Sequence, residues 1–366
     1  MASTPKSVSH HRWRHGNGSR RLRHRGRPGR LSSPSSYGGT RVTASVPTIS
    51  SSELHDINSI CRRTLGPAAQ IERVDRLGFS SFNRVYRLWF AHHGSLVLRI
   101  APFDPDGFVS ELQLMRNEHA AGPWFAVLGP LVPKIIACDW THTVIDADWM
   151  LQSVASGDAA AGPRGLKRFS RDSWRDYYRQ LGRISRQIHS IPGASFGSHL
   201  GEKFTRFDDY LGHMLGRYAD DLQRAGVPNG SVGVAQKWLA RHASLFDSVE
   251  KPFLLSGDLW VVNTLVRDEG GQPVITGVLD FDRSCWGDPA FDWTIRMALA
   301  KQDERTAFWA EGGYGALPDP DGSLAPRLLI YEFLHLASVL PERVRRGTID
   351  PTAFADQLQG VADQLT

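Results

Sequence analysis

The sequence predicts an α+β fold in two lobes: an N-terminal lobe built on an antiparallel β-sheet and a larger, mostly helical C-terminal lobe. Three observations predict it. Short runs rich in Val, Leu, Ile and aromatic residues, separated by turn signals, occupy the front of the chain up to about residue 155. Apolar residues at helical spacing dominate the back, most clearly over residues 173–191. Between them the small-residue stretch Ala155–Gly165 reads as a flexible joint. The expected organisation is a basic tail over residues 1–50, a first lobe over 51–155 and a second over 156–366. A composition that is 41% hydrophobic and 10% aromatic supplies a sizeable core.

Residues 1–50 carry ten Lys and Arg side chains, no Asp or Glu, and no hydrophobic periodicity. Such a segment buries too little apolar surface to offset its ordering entropy, so disorder is expected. A transit peptide, a start codon placed too far upstream and an interaction tail all suit it, whereas the absence of an apolar core excludes a secretory signal. The tail also disguises the charge of the body. The whole chain is +5, but beyond residue 50 there are 33 basic side chains against 38 acidic ones. A mildly acidic body argues against a nucleic-acid partner. It suits a cationic small molecule, with an ordinary solvated surface as the alternative. No apolar run reaches 18 residues, so no membrane-spanning helix is expected. Cys61, Cys138 and Cys285 are odd in number and far apart, which reads as reduced thiols of a cytoplasmic protein. No pattern encodes an oligomeric state.

Order is expected from about Ser52, with a helix through Leu65 that stops at Gly66-Pro67. Arg84–Ala91 and Ser95–Ala101 form a hairpin around His92-His93-Gly94. A helix follows near Phe108–Glu118, then a strand at Asp148–Val154. Trp174, Tyr177, Leu181, Ile184, Ile188 and Ile191 alternate spacings of three and four, which holds them on one face of a helix over Ser173–Ile191. Asp172 or Ser173 can cap its start, and Pro192-Gly193 ends it. Leu328–Leu340 is apolar on nearly all sides and reads as a buried helix.

Two motifs carry chemistry. Ser256-Gly257-Asp258-Leu259 is followed by Asn263, and Leu279-Asp280-Phe281-Asp282 is followed by Gly287-Asp288-Pro289 and Asp292. Phosphoryl transfer needs a hard cation to neutralise phosphate oxygens and a carboxylate to receive or orient a hydroxyl proton. Magnesium takes oxygen ligands and only one or two from protein. Asn263 offers an amide oxygen, Asp280 a carboxylate, and Asp258 remains as base. Asp and Asn five positions apart on a loop, with a metal-binding Asp downstream, is the order of a kinase catalytic loop.

These motifs resemble the aminoglycoside phosphotransferase family of protein-kinase-like small-molecule kinases, which includes antibiotic kinases and, more distantly, choline, homoserine and fructosamine kinases. The resemblance covers most of residues 70–340. It implies a bilobal protein-kinase-like fold, ATP or GTP with Mg²⁺ as cofactors, and a small molecule bearing a hydroxyl as acceptor. It further implies Asp258 as catalytic base and Asn263 and Asp280 as magnesium ligands, with Asp288 and Asp292 organising their loops. Position 256 departs from the pattern, carrying Ser where the family usually has His.

On the nucleotide side, Leu77–Tyr86 suits the phosphate-covering turn, with Gly78, Ser80, Ser81 and Asn83 allowing backbone amides to approach phosphate. Arg99 occupies the place of the strand lysine that holds the α- and β-phosphates. Glu111 is its expected partner, with Glu118 as rival. Gln152, Ser153 and Val154 are placed at the hinge, where backbone groups would bond the base.

On the acceptor side, Glu202, Asp208, Asp209, Asp220 and Asp221 are candidates to face a cation, against the alternative of a solvated helix face. An antibiotic is the favoured acceptor. A metabolic or biosynthetic one is second, and a catalytically silent nucleotide-binding module is the alternative that Ser256 leaves open. Gly193-Ala194-Ser195-Phe196-Gly197 matches a hydrolase nucleophile elbow, but a periodic helix precedes it where a strand is required. His189 and His335 read as packed side chains on helices.

Overall fold

A computed structural model describes residues 49–77, 82–91, 94–102, 107–292, 302–315 and 324–366. The chain enters through α1 (Ser51–Leu65), whose start is fixed by a reciprocal cap. Glu53 N donates to Ser50 Oγ at 3.2 Å, and Ser50 N donates to Glu53 Oε2 at 2.9 Å. Gly66, at φ 88°, ends the helix as expected. Ile57, Ile60 and Cys61 recur at helical spacing and pack on Tyr86, Leu88, Leu98 and Trp149 of the sheet beneath.

That sheet is antiparallel, with strands β1 (Ile71–Arg76), β2 (Arg84–Phe90), β3 (Gly94–Ile100), β4 (Ile135–Asp139) and β5 (Trp149–Ser153) in the order β1-β2-β3-β5-β4. The expected hairpin is β2–β3, with Val85 opposite Arg99. The helix expected near Phe108–Glu118 is displaced. Val109–Glu111 form a single 3₁₀ turn, Gln113 takes a left-handed conformation at φ 62°, and α2 runs from Leu114 to Phe125. The break lets the turn bond the helical lobe: Asp221 accepts the amides of Val109 and Ser110 at 2.6 and 3.1 Å.

The joint is more ordered than its composition implied. Within it β6 (Asp158–Ala159) pairs with β9 (Thr264–Glu269), which pairs in turn with β10 (Gln272–Val278). Ser156 O accepts a hydrogen bond of 2.6 Å from Thr276, so small residues here mark close approach to a strand, not freedom. A second small sheet joins β7 (Gly197–Ser198), β8 (Phe253–Leu255) and β11 (Cys285–Gly287) in the order β7-β11-β8.

The helical part holds α3 (Arg171–Ile188), α4 (Phe207–Arg224), α5 (Gly230–Arg241) and, near the end of the chain, helices Ala325–Ser338, Leu340–Arg345 and Pro351–Ala362. The α3 stripe buries Tyr177, Leu181, Ile184 and Ile188 as its periodicity required. Its cap is Ser170 instead of Asp172 or Ser173, because Ser170 is the residue still extended, with a hydroxyl that accepts Ser173 N. The helix Ala325–Ser338 buries Ile330, Tyr331, Phe333, Leu334 and Ala337 in the C-terminal core. Among the described residues no helix is long and apolar enough to cross a membrane.

Candidate active site

The two chemical motifs meet where β8 and β10 end. β8 leads into Gly257 and Asp258, then a 3₁₀ turn over Val261–Asn263, and β9 departs from that turn. Leu279 N donates to Asn263 O at 2.9 Å, which sets the residue before Asp280 against Asn263. Asn263 Nδ2 donates to Asp258 Oδ2 at 2.7 Å and to Asp258 O at 2.8 Å. This clamp leaves the amide oxygen of Asn263 without a protein donor among the described residues. Asp280 takes a left-handed backbone at φ 68°, a conformation disfavoured for any residue with a Cβ. Its carboxylate stands 3.2 Å from Arg99 Nη2 and is 39% exposed.

Several carboxylates share this space. Burial raises the pKa of Asp280, Arg99 lowers it and the charge of Asp258 raises it again. A divalent ion between the oxygens of Asn263 and Asp280 would relieve that repulsion. Both are hard oxygen donors, so the residues present fit Mg²⁺. Among the described residues no cluster of three or more His, Cys, Asp or Glu is arranged to hold a metal, and a kinase-type site does not require one.

The loop is held from behind by Asp292. Its Oδ2 accepts from Ser256 N at 2.8 Å, Ser256 Oγ at 2.6 Å and His189 Nε2 at 3.0 Å, and its Oδ1 accepts from Gly257 N at 2.9 Å. Ser256 thus supplies this carboxylate with a side-chain donor as well as an amide. His189 closes α3 and receives support from the Tyr314 hydroxyl at 2.8 Å. Gly257 has no substitute: at φ 75°, a Cβ there would lie 2.2 Å from the Arg283 carbonyl oxygen. Asp288 performs the same kind of service, accepting from Tyr331 Oη at 2.8 Å and from Ala290 N at 3.0 Å.

On the nucleotide side, Arg99 is buried and bonds both oxygens of Glu118, at 2.7 and 2.6 Å. The expected partner Glu111 is displaced. The 3₁₀ break before α2 turns Glu111 toward the C-terminal helices, where Arg345 Nη2 bonds it at 2.6 Å. Glu118, seven residues later on the regular helix, faces the sheet instead. Gly78, Ser80 and Ser81 lie outside the described residues, and Asn83 sits buried at their edge. Of the three hinge residues, Gln152 lies between β3 and β4, and the Ser153 amide is given to Lys134 O at 2.9 Å. Val154, beyond the strand, has backbone groups without a partner among the described residues.

Residues with no motif complete the frame. Asn117 donates to Asp282 O and Ser284 O, both at 2.9 Å, and accepts from His199 N and Leu200 N at 2.9 and 3.3 Å. Phe281 stacks on Phe125 of α2 with centroids 3.8 Å apart. Nothing in the sequence near Asn117 signals this, because its four partners lie 82 to 167 positions away. Beside Gly257 opens a cavity of about 340 Å³ between α2, α4, the loop after β7 and the helix Ala325–Ser338. Of the acidic candidates, Glu202 lines it. Asp208 pairs with Arg206 at 3.0 Å, and Asp221 is occupied by amides.

The model of the phosphotransferase enzyme family matches residues 77–322. No curated protein matches the chain. Among solved structures, wild-type aminoglycoside 2'-phosphotransferase-IIIa in its GDP complex is similar at 16% identity, over 85% of this chain and 97% of that one, with a TM-score of 0.54. A thermostable mutant of APH(4)-Ia in ternary complex with AMP-PNP and hygromycin B aligns at 14% identity over 85% and 97%, TM-score 0.56. The GDP and kanamycin complex of APH(2")-IIia aligns at 15% identity over 84% and 97%, TM-score 0.56. At such identities the likeness is one of fold: an antiparallel sheet lobe joined to a helical lobe in the protein-kinase-like manner.

Proposed function

The chain belongs to the phosphotransferase enzyme family, matched over residues 77–322, and from that membership we propose that it transfers the γ-phosphoryl group of ATP or GTP to a hydroxyl of a small molecule. Residues 51–155 serve as the nucleotide lobe and 156–366 as the catalytic and acceptor lobe. The observation that carries the reading is the clamp of Asn263 on Asp258 beside Asp280. Asp258 accepts the acceptor's hydroxyl proton. The hydroxyl oxygen forms a bond to the γ-phosphorus, and the bond from that phosphorus to the bridging oxygen breaks. A phosphate monoester and a nucleoside diphosphate result. Asn263 and Asp280 would hold Mg²⁺, which when bound neutralises charge on the phosphates. Arg99, steadied by Glu118, holds the phosphates, and Val154 offers backbone groups to the base.

Ser256, the departure that would favour a silent nucleotide-binding module, still donates to Asp292. The solved relatives bound to kanamycin and hygromycin B make natural-product hydroxyls the first acceptors to test, and metabolic alcohols the second. A cytoplasmic setting fits, since both nucleotides are available there. The test is purified protein with Mg²⁺ and either nucleotide against a broad acceptor panel. Asp258→Ala is expected to lower turnover by about two to four orders of magnitude. Turnover by the variant at the wild-type rate would remove Asp258 from the role of base.

A further inference from the structure

The cavity beside Gly257 has walls whose charge can be read group by group. Arg283, three residues past Asp280, lines it with a side chain 30% exposed. Its guanidinium makes no hydrogen bond among the described residues. Its nearest carboxylate is Glu111, at 3.8 Å, and Glu111 is already bonded by Arg345. A guanidinium carries five donors in a planar fork, and one held largely out of water with none of them satisfied is a ready seat for an oxyanion. Its backbone is pinned against Gly257, so the seat lies beside the residue before Asp258.

The remaining walls disfavour a polycation. Asp292 is saturated by Ser256, Gly257 and His189, and Asp282 is buried next to Arg283. Glu202 is the exposed carboxylate, and His213 stands 3.9 Å from it. Arg217 adds a second guanidinium, donating to the Val109 carbonyl. The rest of the surface is mixed: Leu112, Leu200, Phe204 and Met214 stand beside Ser110, Gln113 and Ser338. At about 340 Å³ the space falls at the small end of ligand sites, which run from about 300 to 1,000 Å³.

Resting on the phosphotransferase reading, we infer that the acceptor is a compact hydroxylated molecule with a partly apolar body and an anionic group seated on Arg283, and not a polyamine sugar. An acidic body overall does not decide this, because the charge that a ligand meets is that of the wall. The same oxyanion seat would also suit the phosphate being transferred, and the two sources separate experimentally.

The probes are 3-phenyllactate, its neutral amide, and kanamycin as polycation. Binding is measured by titration calorimetry on the full chain with and without Mg²⁺-nucleotide, and turnover by nucleoside diphosphate release. The acid is expected to bind at least about tenfold more tightly than its amide, a charge-assisted contact's share, and kanamycin weakly. Arg283→Met is expected to collapse the acid-to-amide ratio toward one, with Arg283→Lys restoring part of it. Equal binding of acid and amide, or preference for kanamycin, overturns the inference. So does an Arg283→Met protein that loses nucleotide affinity while keeping the ratio, which would assign the seat to the phosphate. Acid binding that depends on Arg283 in a folded protein with no turnover of any acceptor leaves the anionic ligand seat standing and sinks the phosphotransferase reading instead.

Discussion

At the scale of single residues, the site is built from side chains whose alternatives are few. Asp292 holds the Ser256–Asp258 loop through donors on Ser256, Gly257 and His189. Removing the Ser256 hydroxyl leaves a buried carboxylate one charge-assisted bond short, so Ser256→Ala should cost about 2 kcal/mol. Urea denaturation checks that figure, and an unchanged midpoint would mean that His189 and the two amides suffice. Gly257→Ala meets the Arg283 carbonyl at 2.2 Å in a left-handed backbone. It should remove turnover by at least about a hundredfold while most of the fold survives, since the strain falls on one loop. Steady-state rates beside a thermal melt would separate the two effects.

Elements meet through polar side chains that local sequence does not mark. Asn117 joins α2 to the segment after Asp280 and to the loop after β7 by four hydrogen bonds. Asn117→Leu strands four backbone groups and should destabilise by about 3 kcal/mol or more; a melting temperature equal to wild type would show that water replaces the amide. At the other end of the sheet lobe, burial raises the pKa of Glu53. Tyr86 Oη at 2.5 Å, the Ser50 cap and Arg76 outweigh burial and hold the group at about 2, against an ordinary 4.5. The unfolded chain therefore takes up this proton at higher pH than the folded one. The contribution of Glu53 is complete above pH 4.5 and fades as pH falls toward 2. Glu53→Gln should accordingly be less stable than wild type at pH 7, with the gap narrowing steadily below pH 4.5. A gap of constant size across that range would assign the loss to packing and not to charge.

For the whole molecule, the proposed function places nucleotide and metal at one site, so stability should report its occupancy. A ligand that binds only the folded state adds about 2.7 kcal/mol at a hundred times its dissociation constant. Mg²⁺ with ATP or GTP should therefore raise the melting temperature by several degrees. The increment that depends on the metal should disappear in Asp280→Asn, while any metal-independent nucleotide effect persists. If the variant keeps the full metal increment in a melting assay, Asp280 is not a ligand.

Much of this molecule was legible from the chain itself. The period of three and four in α3, the capping chemistry around Gly66, the hairpin of β2 and β3, and the spacing of Asp258, Asn263 and Asp280 are local patterns that the backbone must obey wherever it lies. Gly78, Ser80 and Ser81 fall outside the described residues, so that part of the nucleotide side stands on the sequence alone. What the tertiary structure decided was partnership. Of the two expected partners of Arg99, Glu111 and Glu118, it takes Glu118, because a left-handed Gln113 turns Glu111 away to Arg345, 234 positions on. The joint became strand because Thr276 and β9 waited for it, and Glu111, 3.8 Å from Arg283, is instead bonded by Arg345. Periodicity is written into neighbouring residues; the choice among competing charges is settled only where distant segments converge in a low-dielectric interior.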